Sequence, residues 1–205
     1  MVMSDETKQR LIAATIAAIE ENKGLRGVSL RGVAKAAGCS HVNVYHYADG
    51  LSGLLWLAYA EALRRFSQTA LAELRTRDPG SDFGEATAAG IIRFARRHEG
   101  LYRLMWFEDL PSQPPESVWA DITHASSTYR EEVSRALDAA EPGPGDGAGR
   151  RLSPVEAADL FFAYLQGEIS LLLNGRLGPD PDAAEREVLS RCKMFWTILA
   201  GARLP

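Results

Sequence analysis

The sequence predicts an all-α protein in which three short N-terminal helices are followed by a larger helical bundle, about nine helices in total. Three observations lead to this fold class. Apolar residues recur three and four positions apart along most of the chain. No strand-like alternation of apolar and polar residues is visible after residue 50. Clusters of Gly and Pro, the longest at residues 141–149, separate the periodic segments. We therefore expect two domains, residues 1–50 and residues 51–205.

The N-terminal domain begins with an amphipathic helix, and a second, shorter helix follows. The apolar face of the first helix consists of Leu11, Ile12, Thr15, Ile16 and Ile19. Ser29 carries a hydroxyl that can cap the free amides of the second helix. The apolar side of that helix consists of Leu30, Val33, Ala34 and Ala37. Gly38 follows where the chain turns, and Gly tolerates the positive φ that such a turn needs.

After the turn, Ser40 can cap a third helix whose packed side consists of Cys39, Val44 and Ala48. The residues expected to point outward are His41, Val42, Asn43, His46 and Tyr47, with Tyr45 near the border. Small polar, aromatic and imidazole groups at the start of a short exposed helix suit the major groove of DNA. The pattern therefore favours a DNA-reading helix-turn-helix, while an ordinary helical hairpin would show the same apolar spacing.

The charge of the chain limits the kind of DNA binding that can be expected. The formal net charge is −4, and residues 1–60 hold six Lys or Arg against five Asp or Glu. Such a chain is not a general polyanion binder. Its DNA affinity would have to come from a local face and from the pairing of two copies.

These N-terminal residues resemble the signature of the tetracycline-repressor (TetR) family of bacterial regulators, over roughly residues 8 to 58. The matching positions are Gly27, Ser29, Val33-Ala34, Ala37-Gly38-Cys39-Ser40, Val44-Tyr45, His46 and Tyr47. Family members usually carry Lys at the position of Leu51 and Phe at the position of Ala48, so one phosphate contact is expected to be missing here. The resemblance implies a dimer whose two reading helices reach successive major grooves about 34 Å apart.

The resemblance also implies roles for single residues. The residues that would bond DNA phosphates are Ser29, Tyr45 and Tyr47, and those that would face base edges are His41, Val42, Asn43 and His46. Arg31 and Ser40 complete the expected DNA-binding set. By its chemistry Val42 suits a thymine methyl group, and Asn43 suits an adenine edge.

Side chains from several predicted helices of the C-terminal domain could line one cavity. They are Tyr59, Phe66, Phe94, His98, Tyr102, Met105, Trp106, Trp119, Tyr129, Phe162 and Gln166. Ligand pockets are mostly apolar with a few convergent polar groups, so these residues predict a pocket for a small-molecule effector. The alternative is that the rings only fill the core. The stretch 94–106 also resembles a branch of the family whose Trp-His-Gly motif would fall on Leu165-Gln166-Gly167, where only the glycine agrees.

The last two predicted helices are apolar on more than one side. A capping box with Pro at the first helical position, Ser153-Pro154-Val155-Glu156, begins one of them. The other spans about residues 182 to 202. A helix that is apolar on two sides is buried on two sides, and a second copy of the chain is the simplest partner. The residues assigned to this dimer interface are Phe161, Leu165, Leu172, Val188, Cys192, Phe195, Trp196 and Leu199. A monomer core is the alternative.

Other function classes have weaker support. We find no paired carboxylates, phosphate loop or nucleophile elbow, and we expect no catalytic residue, cofactor or metal; His98-Glu99, His124 and Glu168 are only a weak metal signal. No apolar run reaches the roughly 18 residues of a membrane span. We therefore expect no membrane association and a cytoplasmic location.

The function favoured by the sequence is that of a ligand-responsive transcriptional regulator. We expect a repressor that binds a pseudo-palindromic, double-stranded operator as a homodimer and is released by a small apolar or aromatic molecule. A helical ligand-binding dimer that does not use DNA and an all-α enzyme are the alternatives.

Overall fold

A computed structural model describes residues 2–78, 80–140 and 150–204 of the chain. Its helices are α1 (Val2–Glu21), α2 (Leu30–Ala36), α3 (Gly50–Phe66), α4 (Ala72–Arg75), α5 (Phe83–Arg97), α6 (Glu99–Trp106), α7 (Glu116–Ala139), α8 (Pro154–Leu173) and α9 (Pro181–Gly201). A 3₁₀ helix (Asn43–His46) lies between α2 and α3, and a π-helical turn (Ser67–Leu71) between α3 and α4. Two short strands, β1 (Arg150–Arg151) and β2 (Arg203–Leu204), pair antiparallel. The predicted all-α fold class is confirmed.

The chain forms two compact units. Unit 1 comprises Met1–Phe66 and Arg97–Thr123, and unit 2 comprises Ser67–Arg96 and His124–Pro205. The domain boundary expected at residue 50 falls at the first residue of α3, inside unit 1. The expected boundary separates a DNA-binding domain from a ligand-binding domain, and this functional division stays a prediction. The Gly- and Pro-rich stretch 141–149 and the helix stop expected at Pro79 lie outside the described residues.

The first part of unit 1 is a small core shared by α1, α2, the 3₁₀ helix and α3. Its buried members are Leu11, Val33, Ala34, Ala37, Val44 and Leu54. Ser29 caps α2 as predicted, because its Oγ accepts the amide of Gly32 at 3.2 Å. Gly38 takes the predicted positive φ, +71°, in the turn that follows.

The third helix of this domain differs from the prediction, because it is a single 3₁₀ turn and not an α-helix. Ser40 is not its cap residue, because the cap position is Val42, which makes no side-chain cap hydrogen bond. The Ser40 Oγ instead accepts the amide of Asn43 at 3.3 Å across the preceding turn. The β-branched and amide side chains of Val42, Asn43 and Val44 are poor α-helix formers. Only a few residues separate this turn from the start of α3 at Gly50, whose φ is +56°.

In the second part of unit 1, α6 packs against the C-terminal end of α1 and forms polar contacts with it. Gly100 packs so closely against α1 that a Cβ there would overlap the carbonyl oxygen of Ile19. Glu20 accepts the amide of Gly100 and faces His98 Nδ1, each at 3.0 Å. Lys23 Nζ lies 2.9 Å from Glu99. His98, expected on the inward face of the preceding helix, instead stands after the end of α5, at the N-terminus of α6.

The core of unit 2 is built from aromatic rings on α5, α8 and α9. The Phe83 ring lies 4.3 Å from that of Trp196 and 6.1 Å from that of Phe161, measured between centroids. Gly84 allows this packing, because a Cβ there would stand 2.6 Å from the carbonyl oxygen of Cys192. The contact requires a residue without a side chain at position 84.

Two sequence signals for helix starts in unit 2, Asp82 before the apolar segment that begins at Phe83 and the capping box at Ser153, are confirmed. Asp82 accepts the amide of Glu85 at 2.8 Å and begins α5. Ser153 and Glu156 form the predicted capping box at the start of α8. Asp180 caps α9 through the amides of Asp182 and Ala183. Helical periodicity over about residues 51–77 predicts one long helix. The structure corrects this, because the π-helical turn separates α3 from α4.

A helix that crosses a membrane needs about 20 mostly apolar residues. None of the described helices combines that length with that apolar character.

Two glycines of α5 provide a stability test. We expect Gly84→Ala to lower the free energy of unfolding by about 1–3 kcal/mol, because the new methyl group overlaps α9. Gly90→Ala is the matched control in the same helix. Its nearest neighbour would be at 3.5 Å, an ordinary contact, so a gain of up to about 1 kcal/mol is expected from helix propensity. Urea unfolding followed by circular dichroism measures both. Equal effects of the two substitutions would contradict the packing described here.

Candidate nucleic-acid interface

Most side chains of the expected DNA-binding set lie at the surface of unit 1. The exposed members are Ser29, Arg31, Ser40, His41, Val42, Asn43, Tyr45 and His46. Val42 and Tyr45 are 61% and 62% exposed, so an aliphatic and an aromatic side chain both face solvent here beside polar neighbours. The 3₁₀ helix therefore presents a mixed apolar and polar surface.

Tyr47 is the exception, and the expectation that it points outward is corrected. Its ring is half-buried and packs against the core that contains Val44. In a 3₁₀ helix, residues three apart lie above one another. Tyr47 therefore follows the buried Val44 inward, and Tyr45 follows the exposed Val42 outward.

The backbone beneath the exposed ring explains how Tyr45 is held. A Cβ at Gly50 would stand 3.4 Å from a ring carbon of Tyr45, so the ring lies directly over this residue. Gly50 adopts φ +56°, a conformation that L side chains rarely take. Leu51, which occupies the position of the usual family lysine, is half-buried and uncharged.

A groove beside this surface contains a basic residue that the sequence analysis missed. It has a volume of 480 Å³ and is lined by Arg31, Ala34, Lys35, Gly38, Cys39, Ser40 and His41. Lys35 lies four residues after Arg31 on α2, and residues at this spacing share one face of a helix. The spacing of the two basic residues was the available sequence signal.

The residues expected to line an effector pocket are divided between the two units. Those in unit 1 are Tyr59, Phe66, His98, Tyr102, Met105, Trp106 and Trp119. The Trp106 ring lies 5.0 Å from that of Phe66 and 4.5 Å from that of Tyr102, so these three form one aromatic cluster. Trp119 is 50% exposed.

Unit 2 holds Phe94, Tyr129, Phe162 and Gln166 of the expected set. The rings of Tyr129 and Phe162 lie 5.7 Å apart. In the described part of the chain, the buried hydroxyls of Tyr129 and of Thr87 on α5 have no hydrogen-bond partner. Thr87 was not in the expected set. Burial raises the pKa of Tyr129 far above its ordinary value, so its hydroxyl stays protonated and able to donate.

Most residues assigned to the dimer interface are already buried within one chain. Phe161, Leu165, Val188, Cys192, Trp196 and Leu199 are buried, while Leu172 and Phe195 are half-buried. The exposed large apolar residues of the same two helices are Val155, Leu160 and Leu171 on α8 and Met194 and Ile198 on α9. The sequence analysis did not select them, because apolar residues surround most of each helix and periodicity does not rank the two faces.

Comparison with known proteins identifies the family to which the chain belongs. A family model described as "Tetracyclin repressor-like, C-terminal domain" matches residues 85–202. A search of curated proteins finds no match.

Similar solved structures cover nearly the whole chain. A protein of unknown function from a Rhodococcus species is 20% identical with a TM-score of 0.70, and the match covers 92% of this chain and 94% of that one. A TetR family transcription regulator from Marinobacter aquaeolei is 16% identical with a TM-score of 0.63, covering 93% and 95%. AibR in complex with isovaleryl coenzyme A and operator DNA is 13% identical with a TM-score of 0.62, covering 90% and 97%. At these identities the likeness concerns the fold.

The two cysteines should differ in reactivity. Burial, followed by the negative charge of Glu168, raises the pKa of the Cys192 thiol to about 12, whereas Cys39 is only half-buried in the groove. At pH 8 the Cys192 thiol therefore stays protonated and enclosed, and thiolate is the reactive form. We expect maleimide to label the native protein once, at Cys39, as measured by mass spectrometry. Cys39→Ser should abolish this labelling, and unfolding in guanidinium should expose Cys192. Equal labelling rates at both sites of the native protein would contradict the assignment.

Proposed function

Because this chain belongs to the tetracycline-repressor-like family of transcriptional regulators, we propose that it is a ligand-responsive repressor that binds operator DNA as a homodimer. The observation that carries the proposal is the exposed surface of the 3₁₀ helix, where Val42, Asn43 and Tyr45 are held over a packed core.

The side chains of this surface match the chemistry of a major groove. Asn43 offers a donor and an acceptor for an adenine edge, and the Val42 side chain offers an apolar contact for a thymine methyl group. The exposed hydroxyls of Ser29 and Tyr45 suit backbone phosphates, which set the register of a protein on DNA. His41 and His46 lie beside them as further candidates for base contacts. A DNA-bound regulator of this kind would act in the cytoplasm.

The proposed dimer uses the exposed faces of α8 and α9. Met194 and Ile198 are each 58% exposed and lie four residues apart, on one face of α9. Leu160 and Leu171 are exposed on α8, and a Cβ at Gly167 between them would meet no atom within 4 Å. An apolar face with an open glycine allows a second copy to approach closely, as in a two-fold four-helix interface. The residues buried within one chain, such as Phe161 and Val188, would support this face from beneath.

The proposed effector is a small apolar or aromatic molecule. The support lies in unit 2, where the Tyr129 ring is 5.7 Å from that of Phe162 and the buried Tyr129 hydroxyl has no hydrogen-bond partner among the described residues. A buried hydroxyl without a hydrogen bond is costly, and a bound acceptor would remove that cost. AibR, a protein of similar fold, is known in complex with both an acyl coenzyme A molecule, isovaleryl coenzyme A, and operator DNA. Effector binding would favour a state with lower operator affinity, and repression would end.

A second candidate function is a ligand-binding dimer that does not use DNA. The observation that favours it is Leu51, an uncharged residue at the position where the family usually carries a phosphate-binding lysine. Neither candidate includes a catalytic step. Selection of bound duplexes from a random-sequence pool separates the two, because only the repressor would enrich a pseudo-palindromic sequence.

Substitutions on the 3₁₀ helix test the reading surface with the selected operator. We expect Asn43→Ala to weaken binding by about 1–3 kcal/mol, roughly 5- to 150-fold, and to relax sequence preference at one position of each half-site. Tyr45→Ala should weaken binding to all sequences more uniformly. Gln113→Ala, which removes an exposed amide from the loop before α7, is the control and should bind as the parent does. If both Asn43→Ala and Tyr45→Ala retained full operator affinity, the assignment of the 3₁₀ helix as the DNA-contacting surface would be wrong.

A pair of charge substitutions separates the dimer from the DNA contact. Ile198→Glu places a carboxylate in the proposed interface and should shift the protein to monomers in sedimentation velocity at micromolar concentration. Val42→Glu makes the same chemical change on an equally exposed residue of the 3₁₀ helix. It should leave the dimer intact and abolish operator binding. A dimeric Ile198→Glu protein, or a monomeric parent, would contradict the proposed interface.

A further inference from the structure

We propose that the groove between α2 and the turn that follows it, residues 38–41, holds a backbone phosphate of DNA, and that Lys35 is a phosphate-binding residue. The inference rests on the proposed operator binding and adds a contact that neither the sequence pattern nor the family comparison assigns. It also identifies a replacement for the lysine that is missing at position 51.

The lining of the groove suits an anion. Arg31 and Lys35 extend from one face of α2, and Ser40 and His41 follow the turn. The other lining residues, Ala34, Gly38 and Cys39, have small side chains, which leaves 480 Å³ of open volume between the basic groups. Gly38 contributes to this space, since a Cβ there would meet no atom within 4 Å.

The charges of the groove are not neutralised by the protein. In the described part of the chain, neither Arg31 nor Lys35 forms an ion pair with a carboxylate. Elsewhere in unit 1 the pattern is different, because Lys23 and Arg103 both pair with Glu99. Two unpaired cations on one concave surface produce a local positive potential, although the chain as a whole carries a net charge of −4.

The position of the groove favours a DNA phosphate over a free anion. Ser40 and His41 line the groove and lead directly into Val42 and Asn43, the proposed base-reading residues. Ser40 Oγ accepts the amide of Asn43, and its hydroxyl hydrogen can be donated to a phosphate oxygen. A duplex that places base edges against Val42 and Asn43 brings its backbone past the neighbouring cations, where phosphate contacts fix the register.

Lys35 could instead have a purely structural role. It stands in the last turn of α2, where a cation interacts favourably with the free carbonyl groups of the helix. That role predicts a loss of thermal stability on substitution and no change in the salt dependence of DNA binding. The salt dependence therefore distinguishes the two roles.

The experiment measures the affinity of the full chain for a mixed-sequence DNA duplex and for the selected operator over a range of salt concentrations. Each phosphate contact contributes about 0.9 to the slope of log K against log salt. We expect Lys35→Ala to make the slope shallower by about that amount for each bound chain, on both duplexes and with unchanged sequence preference. Lys35→Arg should restore the slope. Arg176→Ala, which removes an exposed cation from the segment after α8, should leave it unchanged.

The outcomes are separable. If the parent binds both duplexes and Lys35→Ala shows the same salt slope as the parent, this inference is overturned while the proposed function stands. A lower melting temperature of Lys35→Ala would then show that Lys35 has the structural role. An equal loss of slope in Arg176→Ala also overturns it, because the effect would be one of net charge. A parent that binds neither duplex at low salt overturns the proposed function and this inference with it. Inorganic phosphate that displaces the duplex equally from the parent and from Lys35→Ala would count against a phosphate site at this lysine.

Discussion

The burial of Val44 determines which side chains the 3₁₀ helix can offer to a partner. This residue is fully enclosed by Leu11 of α1, Val33 of α2 and Leu54 of α3. With Val44 fixed inward and a repeat of three residues per turn, Tyr47 must follow it, and Val42 and Tyr45 must face outward. A four-residue helix has little stability of its own, so its geometry depends on this one anchor. The proposed reading surface is thus a consequence of core packing beneath it.

Burial also determines which charged side chains of the two units form ion pairs. Where carboxylates are buried they are paired, as Glu132 in unit 2 shows: it is almost fully enclosed and lies 2.8 Å from Arg135 and 3.4 Å from Arg77. An unpaired buried charge would be strongly destabilising. Glu99 and Glu20 are similarly satisfied between α1 and α6. The two cations of the groove have no carboxylate partner in the part of the chain that the structure describes, and both are exposed, so water can solvate them in the free protein.

The sequence predicted those features that depend on neighbouring residues. Helix caps at Ser29, Asp82 and Ser153 are local hydrogen bonds, and each is present in the structure. The predicted position of Tyr47 was wrong because α-helical periodicity was applied to a 3₁₀ turn. His98 was misplaced because its partner, Glu20, is far away in the sequence. The exposed face of α9 could not be identified, since both faces are apolar and only the packing of Cys192 and Trp196 against Gly84 shows which one lies inside. The residues of the proposed effector pocket and interface remain predictions.

The fastening of α6 to α1 has a consequence for biosynthesis. Unit 1 is assembled from two separate stretches of chain, and the second begins only at residue 97. It contains Glu99 and Gly100, which contact Ile19, Glu20 and Lys23 at the end of α1 and just after it. A nascent chain that has emerged only as far as α5 therefore carries α1, α2, the 3₁₀ helix and α3 but lacks α6, one of the helices against which α1 packs. Unit 2 is likewise discontinuous, because the rings that cover Phe83 arrive with α8 and α9. Both units are therefore completed only when distant segments of the chain have been synthesised, and the core of α1, α2, the 3₁₀ helix and α3 gains its contact with α6 only after residues 99–106 have left the ribosome.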